Sequence, residues 1–432
     1  LTPHPPSGTI LTSKVSDRLD CESQVPEAVI VSTARSPIGR AFKGSLKDER
    51  PDDLAAQIVR AALDKVPALD PRDISDLILG CGLPGGEQGW NMGRNLAVLL
   101  GYDHLPGTSV TRYCSSSLQT TRMAFHAIKA GEGDAYISAG VETVSRFFKG
   151  NSDYIEGQDL LNPRFADATH RTHVRSKADA ETWTDPRLDG ELPDVYIAMG
   201  QTAENVQQII GMSRQEQDEF AVRSQNLAEQ RIAEGFWARE ITPVTVADGS
   251  KVSADDGPRP GVTLEAVSAL QPVFRPDGTV TAGNACPLND GAAALVIMSD
   301  TKARDLGLRP LARIVSTSVT GLSPEIMGLG PVEAIPAALN SAGLTIDDID
   351  LFEINEAFAV QSLGSAQQLD IPLEKLNVNG GAIAIGHPFG MTGARITTTL
   401  INSLQWHDKQ FGVESMCVGG GMGMAMVLER LS

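Results

Sequence analysis

Short apolar runs alternate with amphipathic stretches along most of the chain. Ala28 to Thr33 (A-V-I-V-S-T) reads as a buried strand, and Asp53 to Lys65 puts Leu54, Ile58, Ala61 and Ala62 on one helical face. Ile74 to Gly80 reads as a strand, Asn91 to Leu100 as a short helix and Thr108 to Tyr113 as a β-leaning run. A helix to about Ala130 and a strand from Ala135 to Gly140 follow. Beyond Gly283 the pattern predicts strands at Ala292 to Met298, Leu311 to Ser318, Leu351 to Ile354 and Glu414 to Val418, with a helix at Gly393 to Leu404. This alternation predicts an α/β fold with a largely parallel sheet covered on both faces. From about Arg146 to Gly261 the sequence is polar, with one long helical stretch at Arg214 to Glu234. It reads as an inserted subdomain covering a substrate, because long insertions in α/β enzymes are often functional.

The two ends of the chain resemble each other. Ala61-Ala62-Leu63-Asp64 leads into Asp73-Ile74-Ser75-Asp76-Leu77-Ile78, and Ala337-Ala338-Leu339-Asn340 leads into Asp348-Ile349-Asp350-Leu351-Phe352. Cys114 stands before one predicted helix, and Gly386-His387-Pro388 before another. Agreement in element order predicts a duplicated fold with one site between its halves.

Composition narrows the possibilities. A chain of 432 residues exceeds one ordinary core. The net charge of −18 argues against a general nucleic-acid binder but allows a local basic site for an anionic ligand. Five widely spaced cysteines, with no C-x-x-C pair, argue against a disulfide framework or a zinc site and for a reducing compartment. No apolar run approaches the roughly 18 residues of a membrane span. Residues 1–25 are polar, contain Pro3, Pro5 and Pro6, and read as a flexible extension. The end, Glu429-Arg430-Leu431-Ser432, is not an S-K-L peroxisomal signal.

Four stretches hold candidate chemistry: Cys114-Ser115-Ser116-Ser117; Asn355-Glu356-Ala357-Phe358; the glycine-rich run Gly380 to Gly390 with His387; and Cys417-Val418-Gly419-Gly420-Gly421. Each is expected at the C-terminal end of a strand, where open α/β sheets bind ligands. Cys114 near a helix N-terminus is expected to have a lowered pKa and to act as a nucleophile. A histidine from the facing half can be its base, a second cysteine can be a separate acid or base, and glycine N–H groups can hold an oxyanion. Plainer readings stand beside these. His387 could belong to a turn, Asn355 could cap a helix, Cys417 could be core, and the glycines could serve close packing. A dinucleotide site at 419–423 is excluded, because the nine residues after Gly423 cannot hold a βαβ unit.

Taken in order, these stretches resemble the thiolase family from about Ala28 to Leu431. Further blocks carry the resemblance: Ala139-Gly140-Val141-Glu142, Met199-Gly200-Gln201-Thr202-Ala203-Glu204-Asn205, Thr281-Ala282-Gly283-Asn284 and Asn289-Asp290-Gly291-Ala292. The resemblance implies a thiolase fold: two similar βαβαβαββ halves in a five-layer α-β-α-β-α core with an inserted loop domain. The expected division is 26–147 with 268–305 as the N-terminal half, 148–267 as a loop domain covering coenzyme A, and 306–432 as the C-terminal half. It also implies a homodimer or homotetramer.

By matching position, the resemblance makes Cys114 the acyl-accepting nucleophile, His387 its base and Cys417 the acid or base for the acetyl α-carbon. Asn355 would hold a water in one oxyanion hole with His387, and the N–H groups of Cys114 and Gly419 would form the other. Met199 and Phe358 would lie near the pantetheine and acyl groups, and Arg259 at the adenine end of coenzyme A. Ala285 and Cys286 fall on the pantetheine channel, where Cys286-Pro287 replaces the family's usual serine and glycine.

The implied activity is thiolytic cleavage of 3-ketoacyl-CoA, reversible as a Claisen condensation. Coenzyme A is a substrate, and no metal or other cofactor is required. The Pro388-Phe389-Gly390-Met391-Thr392-Gly393 run resembles degradative members. A biosynthetic acetoacetyl-CoA thiolase is the alternative, and a non-catalytic acyl-CoA-binding protein the rival from another class. A ketoacyl synthase would more often pair its cysteine with two histidines. The expected location is cytoplasmic, or an organellar matrix in a eukaryote, with β-oxidation enzymes as possible partners.

Overall fold

The computed structural model describes residues 25–147, 161–177, 179 and 181–432. The expectations for a flexible N-terminal extension and for the start of the insertion, 148–160, lie outside the described residues, apart from Val25.

Nine strands build the frame: β1 (Ala28–Arg35), β2 (Asp76–Gly80), β3 (Gly107–Val110), β4 (Ala135–Thr143), β5 (Asn289–Ser299), β6 (Ala312–Gly321), β7 (Leu351–Ile354), β8 (Phe411–Val418) and β9 (Met422–Arg430). Among the described residues the helices of eight residues or more are α1 (Pro51–Asp64), α2 (Met92–Leu99), α3 (Ser116–Lys129), α4 (Ala166–Arg175), α5 (Met199–Ile210), α6 (Arg214–Ala233), α7 (Gly330–Ala342), α8 (Ala359–Gln368) and α9 (Phe389–Trp406). Local sequence explains several of them. Pro51 opens α1, followed by Asp52 and Asp53 in the first turn, where the missing N–H and the negative charge both suit a helix start. Ser213 and Glu216 close a capping box on α6.

The duplication is visible in the sheet. In the first half β1 pairs antiparallel with β5, β5 antiparallel with β4, and β4 and β3 each parallel with β2. In the second half β6 pairs antiparallel with β9, β9 antiparallel with β8, and β8 parallel with β7. A single parallel bridge, Phe352 to Leu376, stands where the first half has β3. In the sheet the halves are joined at two residue pairs, Val29 with Arg313 and Ile30 with Ala312.

The sheet is therefore mixed, which corrects the largely parallel expectation. Strands β8 and β9 are joined by a tight turn, which forces antiparallel pairing, and β5 returns only after the whole insertion.

Strand alternation sorts side chains into three cores. Ile30, Leu295, Ile297, Ile314, Met424 and Met426 face a central layer holding Leu118 and Ile128 of α3 with Ile396 and Leu400 of α9. Val29, Leu77, Leu79 and Val296 face α1 and α2 on one outside. Phe352, Ile354, Val413 and Val427 face α7 and α8 on the other. This is the α-β-α-β-α arrangement.

Other expectations change in detail. The run before Cys114 is strand only to Val110, and Tyr113 takes a left-handed backbone (φ 44°) that turns the chain into α3. The helix after His387 starts at Phe389, four residues earlier than expected. The 380–390 run does not follow a full strand, only the Leu376 bridge. Among the described residues the insertion contains three long helices rather than one. Ala203 and Val206 of α5 and Phe220 and Ala221 of α6 belong to the third core, so this region is built into the molecule.

Candidate active site

The two central helices bring the halves' reactive residues together. Helices α3 and α9 touch at their N-terminal ends: a Cβ on Gly393 would lie 2.1 Å from the Leu118 nitrogen. Ser117 Oγ accepts a hydrogen bond from Ala394 N–H at 2.9 Å. Cys114 sits just before α3 and His387 just before α9, so this crossing sets both at one place. The buried Glu142 carboxylate ties the junction, accepting from the N–H groups of Gly82 and Gly390 at 2.7 Å each and from Gln88 Nε2 at 2.8 Å. A Cβ on Gly82 would meet Phe389 Cβ at 2.7 Å and the Tyr113 carbonyl at 3.2 Å, so the neighbours of His387 and Cys114 flank one glycine.

His387 is buried. Its N–H donates to Asn289 Oδ1 at 2.9 Å, and its Nδ1 lies 2.6 Å from Thr392 Oγ1. The Thr392 hydroxyl donates its own proton to the Pro388 carbonyl at 2.7 Å. It must therefore accept from Nδ1–H, which assigns the tautomer and leaves Nε2 with a free lone pair. Nε2 is buried and has no hydrogen-bond partner. Burial, aided by the Arg395 charge, pulls the His387 pKa down to about 3, so the imidazole is neutral and able to accept a proton.

Burial pushes the Cys114 thiol up to about 11, against the help of the Gly419 and Cys114 N–H groups. This corrects the expected lowering: desolvation of the thiolate outweighs the donors at the turn. Cys114 rests as a thiol and His387 as a neutral imidazole. Burial and the nearby thiols of Cys114 and Cys286 also hold Cys417 well above the ordinary range, and burial and Cys114 raise Cys286. The three thiols thus share one neighbourhood.

The NEAF block closes the other side. Asn355 N–H donates to the Ser415 carbonyl at 2.9 Å, two residues before Cys417. The Asn355 side chain is buried and neither its Oδ1 nor its Nδ2 has a partner. It caps no helix, since α8 is preceded by Phe358 without a side-chain cap. A buried amide with both polar atoms unpaired by protein groups is uncommon and calls for a polar partner. Ala285 bridges to Phe358, and Cys286 N–H donates to the Ala357 carbonyl at 3.1 Å, which sets Cys286 beside this block.

Three comparisons with known proteins bear on this arrangement. Residues 28–301 match the family described as thiolase, N-terminal domain, and residues 308–430 match thiolase, C-terminal domain. The chain belongs to the thiolase family. It is 44% identical over 416 residues to the 3-ketoacyl-CoA thiolase of Bacillus subtilis, covering 93% of this chain and 99% of the relative. Among solved structures, the dimeric peroxisomal thiolase of Saccharomyces cerevisiae aligns with a TM-score of 0.82 at 35% identity, covering 95% of this chain and 99% of that one. The Bacillus anthracis acetyl-CoA acetyltransferase aligns with a TM-score of 0.81 at 38% identity, covering 94% and 99%.

Other thiolase-type positions lie further out. Met199 starts α5 and is partly buried against the third core with Ala285 and Phe274. Arg259 is exposed, its N–H bonded to Gln225 Oε1 at 3.1 Å, and the charge of Arg40 lies close enough to lower its pKa after burial does so. The adjacent Gly257 packs on the Ala384 carbonyl, where a Cβ would come within 2.3 Å.

Several supporting residues had no role assigned from sequence. Glu142, Asn289 and Thr392 position His387 and its helix. Glu356 accepts from Ser224 Oγ, Asn377 Nδ2 and Ile383 N–H, and its carboxyl sits where a Gly381 side chain would be. Their signal lay in the same short blocks that carry the resemblance. Among the described residues no group of three or more His, Cys, Asp or Glu side chains could hold a metal, and no helix is long and apolar enough to cross a membrane.

Proposed function

We propose that the chain carries out thiolytic cleavage of 3-ketoacyl-CoA through an acyl-Cys114 intermediate. The activity is that of an acetyl-CoA C-acyltransferase (3-ketoacyl-CoA thiolase), with coenzyme A as substrate. What supports the assignment of roles most is the buried, unpaired Nε2 of His387 at the junction of α3 and α9. Nε2 takes the Cys114 proton as the sulfur attacks the 3-keto carbon, so charge forms only during attack. The C2–C3 bond breaks, and Cys417, held as a thiol, protonates the acetyl-CoA carbanion. A second coenzyme A thiol then takes the acyl group from Cys114. Asn355 with His387, and the N–H groups of Cys114 and Gly419, stabilise the two oxyanions.

Met199, Phe358, Ala285 and Cys286 line the pantetheine and acyl groups, and Arg259 with Arg40 meets the phosphate-bearing end of coenzyme A. Segment 148–267 covers it. A homodimer, or a dimer of dimers, is part of the proposal, supported by the dimeric yeast relative. So is a cytoplasmic location, supported by four free cysteines among the described residues.

Thiolysis of a chain-length series of 3-ketoacyl-CoAs, beside a Cys114→Ala control, tests this reading. Turnover lost in the control supports it. Turnover of acetoacetyl-CoA alone would make the chain an acetoacetyl-CoA specialist, and coenzyme A binding without turnover would make it a carrier.

A further inference from the structure

A cleft of about 580 Å3, lined by none of the three thiols, is bounded by α4 and the chain that follows it, Asn205 in the middle of α5, Arg275 and Glu325. Two guanidiniums form its inner wall. Arg275 is only 5% exposed, yet it has no ion-pair partner among the described residues. Its Nε donates to Gln201 Oε1 at 2.9 Å, and its Nη2 to Asn205 Oδ1 at 2.7 Å. Half-buried Arg175 converges on the same Asn205 Oδ1 at 3.2 Å and on Gln208 Oε1 at 3.1 Å. Two cations thus share one neutral carbonyl oxygen.

The buried carboxylates nearby, Glu204 near Arg275 and Glu325 near Arg175, act on these cations only through space, and their hydrogen bonds go elsewhere. Glu325 accepts from Trp183 Nε1 at 2.7 Å and Asp194 N–H at 2.8 Å, and Glu204 accepts from the N–H groups of Thr279 and Val280. The other acids of the cleft, Asp179, Glu181, Asp189 and Glu191, are exposed at its mouth. Buried charge without a directly bonded counter-charge is costly, and paired arginines present the fork geometry that suits a carboxylate.

One aromatic layer separates this wall from the acyl site. Phe274, next to Arg275, packs edge-on against Phe358 with ring centroids 6.3 Å apart. Its ring also fills the space that a Gly200 side chain would occupy, beside Met199. The turn Pro324–Leu329 connects the two sites from the other side: it sends Glu325 to the cleft and Met327 into the core cluster that holds Cys417.

We propose that Arg175 and Arg275 form a carboxylate subsite, and that its ligand is the ω-carboxyl end of a dicarboxylic 3-ketoacyl-CoA. This rests on the thiolase reading for its substrate. A free dicarboxylate has the same chemistry and is the other source.

The test compares kcat/KM for 3-ketoacyl-CoAs ending in a carboxylate with that for their methyl esters, over a range of chain lengths. Wild type, Arg175→Gln and Arg275→Gln are assayed alongside. The expected result is a preference of about tenfold or more for the carboxylate at one length in wild type, falling to near parity in both variants. If Arg275→Gln does not fold, Arg175→Gln decides. A second arm measures Tm with adipate. A rise in wild type that the variants lose supports the subsite even if no acyl-CoA is turned over, and with no ω-carboxyl preference it assigns the site to a free dicarboxylate. Parity in wild type without a Tm shift, or a preference that survives in both variants, overturns the proposal.

Discussion

The two halves use the same plan to place different chemistry. In each, a helix leaves a turn beside the sheet and runs through the central layer. In the first half the turn is made by left-handed Tyr113 and a short 3-10 segment, which leaves Cys114 beside backbone donors, its own N–H and that of Gly419. In the second half Gly386, with φ 113°, and Pro388 make the turn, and a threonine one helical turn on holds the imidazole. One turn therefore offers dipoles to a developing negative charge, and the other fixes a lone pair. Neither residue is ionised at rest. The duplicated plan supplies two equivalent helix starts, and in the proposed mechanism one presents the nucleophile and the other the base.

That division of labour can be broken one residue at a time. Cys114→Ala removes the acceptor and is expected to cost at least about 10⁴-fold in thiolysis, read as coenzyme A consumed. His387→Ala removes the proposed base and is expected to cost about 10²–10⁴-fold. Equal activity in the two variants and wild type would dissolve the comparison. Asn355→Ala is expected to lower kcat by about 10²–10³-fold while leaving Tm unchanged or raised, because its amide makes no internal hydrogen bond to lose. A large fall in Tm would instead mark Asn355 as structural. Thr392→Val frees Nδ1 and lets the other tautomer compete; a loss of about tenfold is expected, with Thr392→Ser retaining most activity.

The smallest effect is a change of profile. With the Cys114 pKa raised, the thiolate fraction falls at neutral pH. Iodoacetamide labelling of Cys114 in the free enzyme should keep rising with pH toward about 11, rather than level off above the ordinary thiol value of about 8.5. A plateau near neutral pH would restore the lowered thiol pKa that the turn alone suggests.

Much of this site was legible because its signals are local. The strand-to-helix turn at Cys114, the NEAF block after β7 and the glycine turn after Cys417 each fit within ten residues, and the repeat from Ala61 and Ala337 anticipated the matching α1–β2 and α7–β7 units. Strand direction was not legible. The alternation around β5 looks like any βαβ unit, and only its pairing with β1 and β4 shows it running antiparallel to both. The polar insertion hid α5 because its buried face includes Gln201, Glu204 and Asn205, side chains satisfied by distant partners such as Arg275 and Thr279, and it hid α4 because that helix buries only Ala168.

Residue identity thus established the family, the duplicated order of elements and the types of reactive group. Their protonation came from the folded molecule. A thiol at a helix start is acidic or not according to how much water reaches it, and burial beneath both halves reverses the local expectation at Cys114. The same holds for Arg175 and Arg275, 100 residues apart in the chain and unremarkable there. Folding sets them against one amide oxygen, because hydrogen bonding and desolvation depend on what surrounds a charge in space and not on its neighbours in sequence.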